Sequence, residues 1–404
     1  MSSSMRPIVI VTGANGGVGY GICQRLLVQL CEETPSDSLP QAFEEVIKDS
    51  TRFPPGLTLI MACRSPKRAE KARTDLHRFF ERHVAKLRSQ PGYTGRAEEL
   101  QKYLTVNVET LDLASIRSVI AFASVVKAKY PYVSHLACNA GLASFKSIDW
   151  FLALKQFLTE PVQACTAPNY YTQHQGELSA DFLGFVWQCN VFSHFALFRE
   201  LESSFAKAPE GGRVIWCSSL EARPNFYDPE DWQLRKTEHS YESSKYQIDI
   251  IATALDRKAL ARKGAQTVTR HFVSQPGVSS TSVAAAIAGP ILDWLKVLSF
   301  YFARLCGSQH HPISPFKGAI AVVHLMLVPL TCLAYLTQPN GPPVRFGSET
   351  DRWGNERVGL TPVTSWLKHQ DEADSLIQKC DKLLDDLKNE ASRPLEFETA
   401  SEKM

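Results

Sequence analysis

Short, unbroken apolar runs recur along this chain, each bounded by glycine or polar residues, as expected of strands buried on both faces of a parallel sheet. They occupy residues 7–11, 57–63 and 135–138, the segment closing at Trp216-Cys217, and residues 267–273. Between them the period changes. Ile22, Leu26, Leu27 and Leu30 repeat at helical spacing, and a further helix begins near Ala114-Ser115-Ile116. Strands alternating with helices predict an α/β fold, a doubly wound parallel sheet with helices on both faces.

Three stretches depart from this alternation. Trp150 to Leu158 is aromatic and apolar at helical spacing, which predicts an inserted helix within an insertion of about residues 143–180. The segments 32–55 and 87–96 read as surface insertions. Beyond Pro343 the pattern predicts one helix, about 371–387, with Leu376, Ile377, Cys380, Leu383, Leu384 and Leu387 on one face, and then a polar, disordered tail from Asn389. No linker-like break separates the motifs, so the expectation is one enlarged domain across 1–404. Its cofactor-binding half covers about 7–145, a catalytic and substrate half about 181–346, and a C-terminal helix and tail about 347–404.

The first strand runs into Thr12-Gly13-Ala14-Asn15-Gly16-Gly17-Val18-Gly19 and then into a helix. In that order Gly13 permits the tight turn, Gly17 lets backbone approach a pyrophosphate, and Gly19 lets the helix pack closely. The second strand ends at Arg64-Ser65, where an acidic residue would bind a free ribose hydroxyl and an arginine accommodates a 2′-phosphate. Arg64, with Lys67 and Arg68 nearby, therefore argues for NADPH; the latter pair equally suits a solvated helix face. Leu111-Asp112-Leu113 and the strand end Asn139-Ala140-Gly141 stand where contacts to an adenine ring and to the cofactor backbone would form, although Asp112 could simply be a helix N-terminal charge. Tyr241-Glu242-Ser243-Ser244-Lys245 sets a phenol and an ammonium one helical turn apart on the same face, so the cation is expected to draw the phenol pKa down from about 10.

Taken in order, Thr-Gly-x-x-x-Gly-x-Gly, Asn-Ala-Gly and Tyr-x-x-x-Lys resemble the short-chain dehydrogenase/reductase family, whose fold is Rossmann-like. The resemblance implies a site. Tyr241 would protonate a substrate carbonyl oxygen, and Lys245 would tune the phenol and hold the nicotinamide ribose. Ser219, in Trp216-Cys217-Ser218-Ser219, would hydrogen-bond the same oxygen, and Asn190 would support a proton relay to the lysine. Pro276-Gly277, followed by Val278 and Thr281, would form the turn over the nicotinamide.

The long connection from Ser219 to Tyr241, with Phe226, Tyr227 and Trp232, and the insertion before Asn190 both open on the carboxyl edge of the sheet. Their expected role is an apolar wall for a large substrate. With Asn190-Val191-Phe192-Ser193-His194-Phe195 and Ser218-Ser219-Leu220-Glu221-Ala222-Arg223, they make the chain similar to the 3-keto sterol reductases of sterol C-4 demethylation, or type-seven 17β-hydroxysteroid dehydrogenases. That resemblance implies NADPH-dependent reduction of a sterol 3-ketone to the 3β-alcohol in ergosterol-type biosynthesis. It also implies work at the endoplasmic reticulum membrane and on lipid droplets, beside other C-4 demethylation enzymes and oxidosqualene cyclase. A retinol or other lipid carbonyl reductase, and a membrane-associated scaffold, are the alternatives. The full Asn190, Ser219, Tyr241, Lys245 set favours chemistry.

Composition narrows this little further. With 404 residues, 44% of them hydrophobic, the chain can bury a large core, and a net charge of +2 gives no reason to invoke nucleic acid. Ten scattered cysteines without a Cys-x-x-Cys pair suit buried thiols in a reducing compartment, and no metal-ligand spacing is seen. The segment before the first strand is too short for a signal peptide, so no secretion is expected. The apolar stretch 283–305 carries Asp293, Lys296 and Arg304 and is broken by Gly289-Pro290, so it predicts a helix lying in a membrane interface rather than a span. The second apolar stretch, 319–336, contains His324 and Pro329, and its part Ala319 to Leu327 falls where the resemblance places an ordinary helix packed on the sheet.

Overall fold

The computed structural model describes residues 6–41, 43, 44, 55–262, 268–280, 285–333, 336, 338 and 340–392; of residues 285–293 and 391–392 it describes the backbone alone. The chain begins β1 (Ile8–Thr12), α1 (Gly17–Leu30), β2 (Leu57–Cys63), α2 (Pro66–Arg88), α3 (Arg96–Lys102), β3 (Leu104–Thr110), α4 (Ile116–Lys129) and β4 (His135–Cys138). An excursion follows, made of β5 (Phe145–Ile148), α5 (Trp150–Thr159), α6 (Pro161–Thr166) and β6 (Tyr171–Gln173). A single turn, α7 (Phe185–Trp187), leads through a π-helical turn (Gln188–Phe192) into α8 (Ser193–Phe205) and β7 (Arg213–Cys217). The chain then forms α9 (Ser240–Ala261), β8 (Arg270–Gln275), α10 (Ala285–Leu305), α11 (Pro315–Gly318), α12 (Ile320–Leu327), β9 (Val344–Thr350), β10 (Glu356–Pro362) and α13 (Trp366–Ser392).

The main sheet has the order β10-β9-β8-β7-β4-β1-β2-β3. All neighbours pair in parallel except β9 and β10, which are antiparallel. Successive residues of β1 point to opposite faces, so Ile8 and Ile10 enter the core beneath α4, α8, α9 and α13, while Val9 and Val11 enter the core beneath α1, α2 and α12. Both faces are covered, which is why the strands read as unbroken apolar runs. The chain builds outward from β1 in one direction and from β4 in the other, so the switch point lies between these two strands, where an open α/β sheet leaves a crevice.

The doubly wound sheet expected from the sequence is present, with three corrections. The segment after 346 is more than a helix and tail: β9 extends the parallel sheet through Val273↔Arg345, and β10 closes it as an antiparallel edge. The last helix starts at Trp366 rather than near 371, because Trp366 is buried in the core and His369 packs its ring against Tyr246 and Tyr227. The described part of 32–55 is tied to the core, not merely laid on the surface. Arg25 grips the buried Asp37 carboxylate at 2.8 Å, and His324 meets Glu44 at 2.8 Å. The inserted helix expected at 150–158 is α5, and residues 320–327 form the sheet-packed helix α12, buried along its whole length. The polar tail, expected to be disordered, lies mostly outside the described residues.

Trp187 joins this scaffold to α9. It is fully buried, stacks on Phe192 at 5.1 Å, meets Trp232 edge-on at 5.0 Å, and donates its indole N–H to Gln247 Oε1 at 2.8 Å. Trp187→Ala should lower the unfolding free energy by about 3–5 kcal/mol, the cost typical of a large core truncation. Urea unfolding followed by circular dichroism measures this, and a loss below about 1 kcal/mol would contradict the packing described.

Candidate active site

Thr12 holds the two strand ends of the switch point together. Its hydroxyl accepts the backbone N–H groups of Asn139 and Ala140, each at 2.9 Å, and reaches Ala137 O and His194 Nε2. Asn139 returns a side-chain hydrogen bond to Thr12 O at 2.9 Å. The glycine-rich turn and the Asn139-Ala140-Gly141 turn are thereby locked side by side. Gly13 and Gly17 have φ of +68° and +50°, in the region that favours glycine, and a Cβ on Gly19 would lie 2.4 Å from Gly13 O. Any side chain at Gly19 would collide with the Gly13 backbone and with Asn139, so only glycine lets the helix start pack this tightly on the turn, and a tight turn at a helix N-terminus fits a dinucleotide. Asn15, Gly16 and Val18 complete it.

Arg64 projects from the end of β2, exposed, and Ser65 caps α2. Lys67 and Arg68 are likewise exposed, on that helix, whereas Arg64 stands at the strand end itself. Asp112 accepts Ala114 N at 3.0 Å, a local turn that leads into α4, while Leu113 O accepts the Ser193 hydroxyl at 2.6 Å. Across the sheet, Pro276 and Gly277 continue from β8 with Gly277 at φ +66°, and Val278 pairs with His310 and Ile313 through its backbone. Thr281 lies outside the described residues.

Ser219, Tyr241 and Glu221 border one cavity of about 500 Å³, within the usual range for small-molecule sites. Phe145, Tyr171, Phe157 and Phe300, from the excursion and from α10, make its remaining wall largely apolar. Tyr241 opens the first turn of α9, a helix whose N-cap residue, His239, makes no side-chain cap. The cap comes from β6 instead. Gln173 Oε1 accepts Tyr241 N at 2.9 Å and the Ser240 hydroxyl at 3.0 Å, while its amide donates to Glu242 at 2.6 Å. Asn190 sits in the π-helical turn, donates to Leu142 O and to the Ser244 hydroxyl at 2.9 and 3.0 Å, and accepts Leu142 N at 2.8 Å. It therefore locks the loop after β4 onto α9.

Lys245 Nζ donates to Cys217 O at 2.8 Å and stands 5.8 Å from the centre of the Tyr241 ring. The lowering of the phenol pKa expected from this cation is not what the chain's own residues produce. Burial and the neighbouring Glu221 carboxyl push Tyr241 up, the Ser219 hydroxyl hydrogen-bonded to it pulls the other way, and Glu242 adds to the rise. Lys245 itself is pushed down by burial. Part of the Tyr241 ring remains open to the cavity, yet it lies deep enough for burial to dominate.

Sequence reasoning missed Gln173 and the role of Glu221. Gln173 carries no motif and lies far from α9 along the chain. Glu221 belongs to the segment after Ser219, but nothing local shows that its carboxyl lines the cavity. Burial first, and Glu242 second, push that carboxyl up to about 8, against the pull of Arg223. Because an ionised Glu221 holds the proton on Tyr241, Glu221→Gln should let the phenol ionise at lower pH. An ultraviolet tyrosinate titration, taken as the difference between each enzyme and its Tyr241→Phe counterpart, checks this; an unmoved midpoint would show the two groups to be uncoupled.

No family model matches the chain. Among solved structures it is similar to an uncharacterised protein of Mycobacterium paratuberculosis, 19% identical with a TM-score of 0.48, covering 95% of this chain and 97% of that one. It is likewise similar to salutaridine reductase of Papaver somniferum, 15% identical with a TM-score of 0.48, covering 80% and 96%. In sequence it is 27% identical to the 3-keto-steroid reductase of Debaryomyces hansenii, over 88% of each chain. It is 30% identical over 369 residues to the 3-keto-steroid reductase erg27 of Schizosaccharomyces pombe, covering 91% of this chain and 94% of the relative. With that likeness running through nearly the whole of both chains, and with the glycine-rich turn, Asn139, Ser219, Tyr241 and Lys245 gathered at one sheet edge, this chain belongs to the 3-keto-steroid reductases of the short-chain dehydrogenase/reductase family.

Proposed function

We propose that this protein is an NADPH-dependent 3-keto sterol reductase, converting a sterol 3-ketone to the 3β-alcohol in sterol C-4 demethylation. The observation that carries the reading is the placing of the Ser219 and Tyr241 hydroxyls together on the wall of a largely apolar cavity, with Lys245 Nζ 5.8 Å from the Tyr241 ring centre. A flat polycyclic substrate with one polar end needs that pairing of hydroxyls with an apolar wall. The similarity to the 3-keto-steroid reductases of Schizosaccharomyces pombe and Debaryomyces hansenii supports the same substrate class.

The dinucleotide would lie across the switch point, against the Gly13–Gly19 turn, Asn139-Ala140-Gly141 and Asp112-Leu113, with its 2′-phosphate toward Arg64 and Ser65 and its nicotinamide end near Asn190, Lys245, Pro276 and Val278. When bound, NADPH supplies the hydride. The chain supplies the proton and the geometry. Ser219 and Tyr241 hold the ketone oxygen, and the Tyr241 hydroxyl donates its proton to that oxygen as charge develops there. A phenol whose pKa is held up by burial remains protonated at neutral pH, as a general acid must. Lys245, buried and cationic, would stabilise the phenolate left behind.

The proposal extends to a membrane surface, with the endoplasmic reticulum and lipid droplets as locations and other sterol-synthesis enzymes as partners. Trp294, Leu298, Tyr301, Phe302 and Leu305 are exposed on α10, which also lines the cavity through Leu295 and Phe300. Among the described residues no helix is long and apolar enough to cross a membrane. An amphipathic helix lying in the interface beside the cavity mouth would let a sterol pass directly from lipid.

Purified protein offered a 3-keto sterol with NADPH should form the alcohol. Tyr241→Phe should reduce turnover by about 10²–10⁴-fold while leaving cofactor binding in place. Unchanged turnover would overturn the acid role, and a preference for retinal would move the assignment to another lipid carbonyl. Arg64→Asp should shift the preference from NADPH toward NADH in the same assay, and an unaltered preference would refute the 2′-phosphate contact.

A further inference from the structure

Asp249 lies one helical turn beyond Lys245 on α9, and its side chain is 1% exposed. Arg345, from β9, points back beneath the sheet edge. Its Nη1 stands 3.5 Å from Asp249 Oδ2 and donates to Ser219 O at 3.2 Å. The single Ser218 hydroxyl proton can go to Lys245 O, at 3.3 Å, or to the Asp249 carboxylate. One buried network thus ties the backbone of Ser219, the helix turn of Lys245 and the second-to-last strand of the sheet.

This network is poorly explained by packing alone. Asp249 Oδ1 and Arg345 Nε are buried without a hydrogen-bond partner. A buried ion pair with unsatisfied atoms contributes little stability, and an apolar pair of similar volume would often serve better. What the pair does possess is position. The groups around Lys245 are Tyr241 and Asp249 on its own helix, Cys217 on β7 and His194 on α8. Cys217 is a buried thiol raised by desolvation, and His194 is pushed down to about 4 by burial, so both are neutral near pH 7. Tyr241 is held protonated. Arg345 bears on the carboxylate, while Glu221 and Glu242 bear on Tyr241. Asp249 therefore provides the negative charge that supports the buried ammonium.

We propose that Asp249 and Arg345 are positioning residues of the active site: Asp249 sustains the charge on Lys245, and Arg345 holds both that carboxylate and the Ser219 carbonyl, fixing the aim of the Ser219 hydroxyl. Their role in turnover rests on the carbonyl-reductase reading above; their charge coupling does not. Burial pushes Asp249 up to about 6, against Arg345, Ser218 and Lys245, which pull it down. A raised carboxyl is ionised above that pH and takes up its proton below it. The ion pair with Arg345, and with it the anchoring of the Ser219 carbonyl, is thus present at pH 7 and weakened as the pH falls through about 6 and Asp249 takes up its proton.

Two measurements on the full chain test this. First, the side-chain carboxyl carbon of Asp249, assigned in ¹³C-labelled protein, should titrate near 6 in the wild type and higher in Arg345→Met. A midpoint near the ordinary ~4 that ignores the arginine would overturn the coupling. Second, wild-type reduction of a 3-keto sterol should fall as the pH drops through about 6, whereas Asp249→Asn should lose that acid limb and run at least about tenfold slower, with KM for the sterol within about threefold. Arg345→Met should likewise lower kcat, and Arg345→Lys should restore the acid limb while recovering only part of kcat. An Asp249→Asn enzyme that keeps the wild-type acid limb would overturn the proposal, because a merely structural defect lowers the amount of active enzyme without moving its pH profile. Absence of ketone turnover in the wild type would instead sink the reductase reading, and the carbon titration would still decide the charge coupling.

Discussion

Helix α9 is buried around most of its circumference yet carries Tyr241, Lys245 and Asp249 along one side, and much of this structure follows from that conflict. A helix in the interior must satisfy its own first N–H groups and compensate each ionisable side chain it takes out of water. None of the partners comes from the helix alone. Gln173 caps its start, Cys217 O receives the ammonium, Asn190 fastens Ser244, and Arg345 faces Asp249. These partners come from β6, β7, the π-helical turn and β9, so the excursion and the extra strands bear directly on the order of this one helix.

The same desolvation sets the electrostatics of the cavity. A phenol beside water would titrate near 10 and a carboxyl near 4, but burial raises both Tyr241 and Glu221 and lowers Lys245. The lysine that the motif pairs with the tyrosine does not reverse this within the chain itself. Its ammonium is turned toward a strand carbonyl, and two acidic residues oppose it at the phenol. The division of labour is accordingly finer than the Tyr-x-x-x-Lys pattern conveys: proton retention on Tyr241 is shared with Glu221, and charge on Lys245 depends on Asp249.

Around this polar floor the excursion from β5 to β6 forms the cavity wall. Aromatic rings stack across it, Phe145 on Tyr171 at 4.6 Å, with Phe145 tilted against Tyr241 at 6.4 Å. Outside, α5 leaves Trp150, Phe151, Leu154 and Leu158 exposed, just as α10 exposes its own aromatic face. Two apolar surfaces therefore flank a cavity that is itself lined mostly by apolar side chains. That arrangement suits a substrate with little solubility in water.

The amino-acid sequence by itself determined the layered sheet, the glycine-rich turn, the place of Arg64 at a strand end and the one-turn spacing of Tyr241 and Lys245. Each of these is local: a period of alternation, a backbone angle open to glycine, or two side chains one turn apart. The inserted helix at 150–159 was legible for the same reason. The strands β9 and β10 were not, because Arg345, Ser348 and Glu349 interrupt the first and Arg357, Gly359 and Thr361 the second, which breaks the apolar run by which a buried strand is read. Only the tertiary structure decided that Gln173 caps α9, that Glu221 turns into the cavity, and that Arg345 lies behind Ser219. Such contacts join residues that are distant along the chain, and a pKa shift by burial exists only once the fold has removed the water.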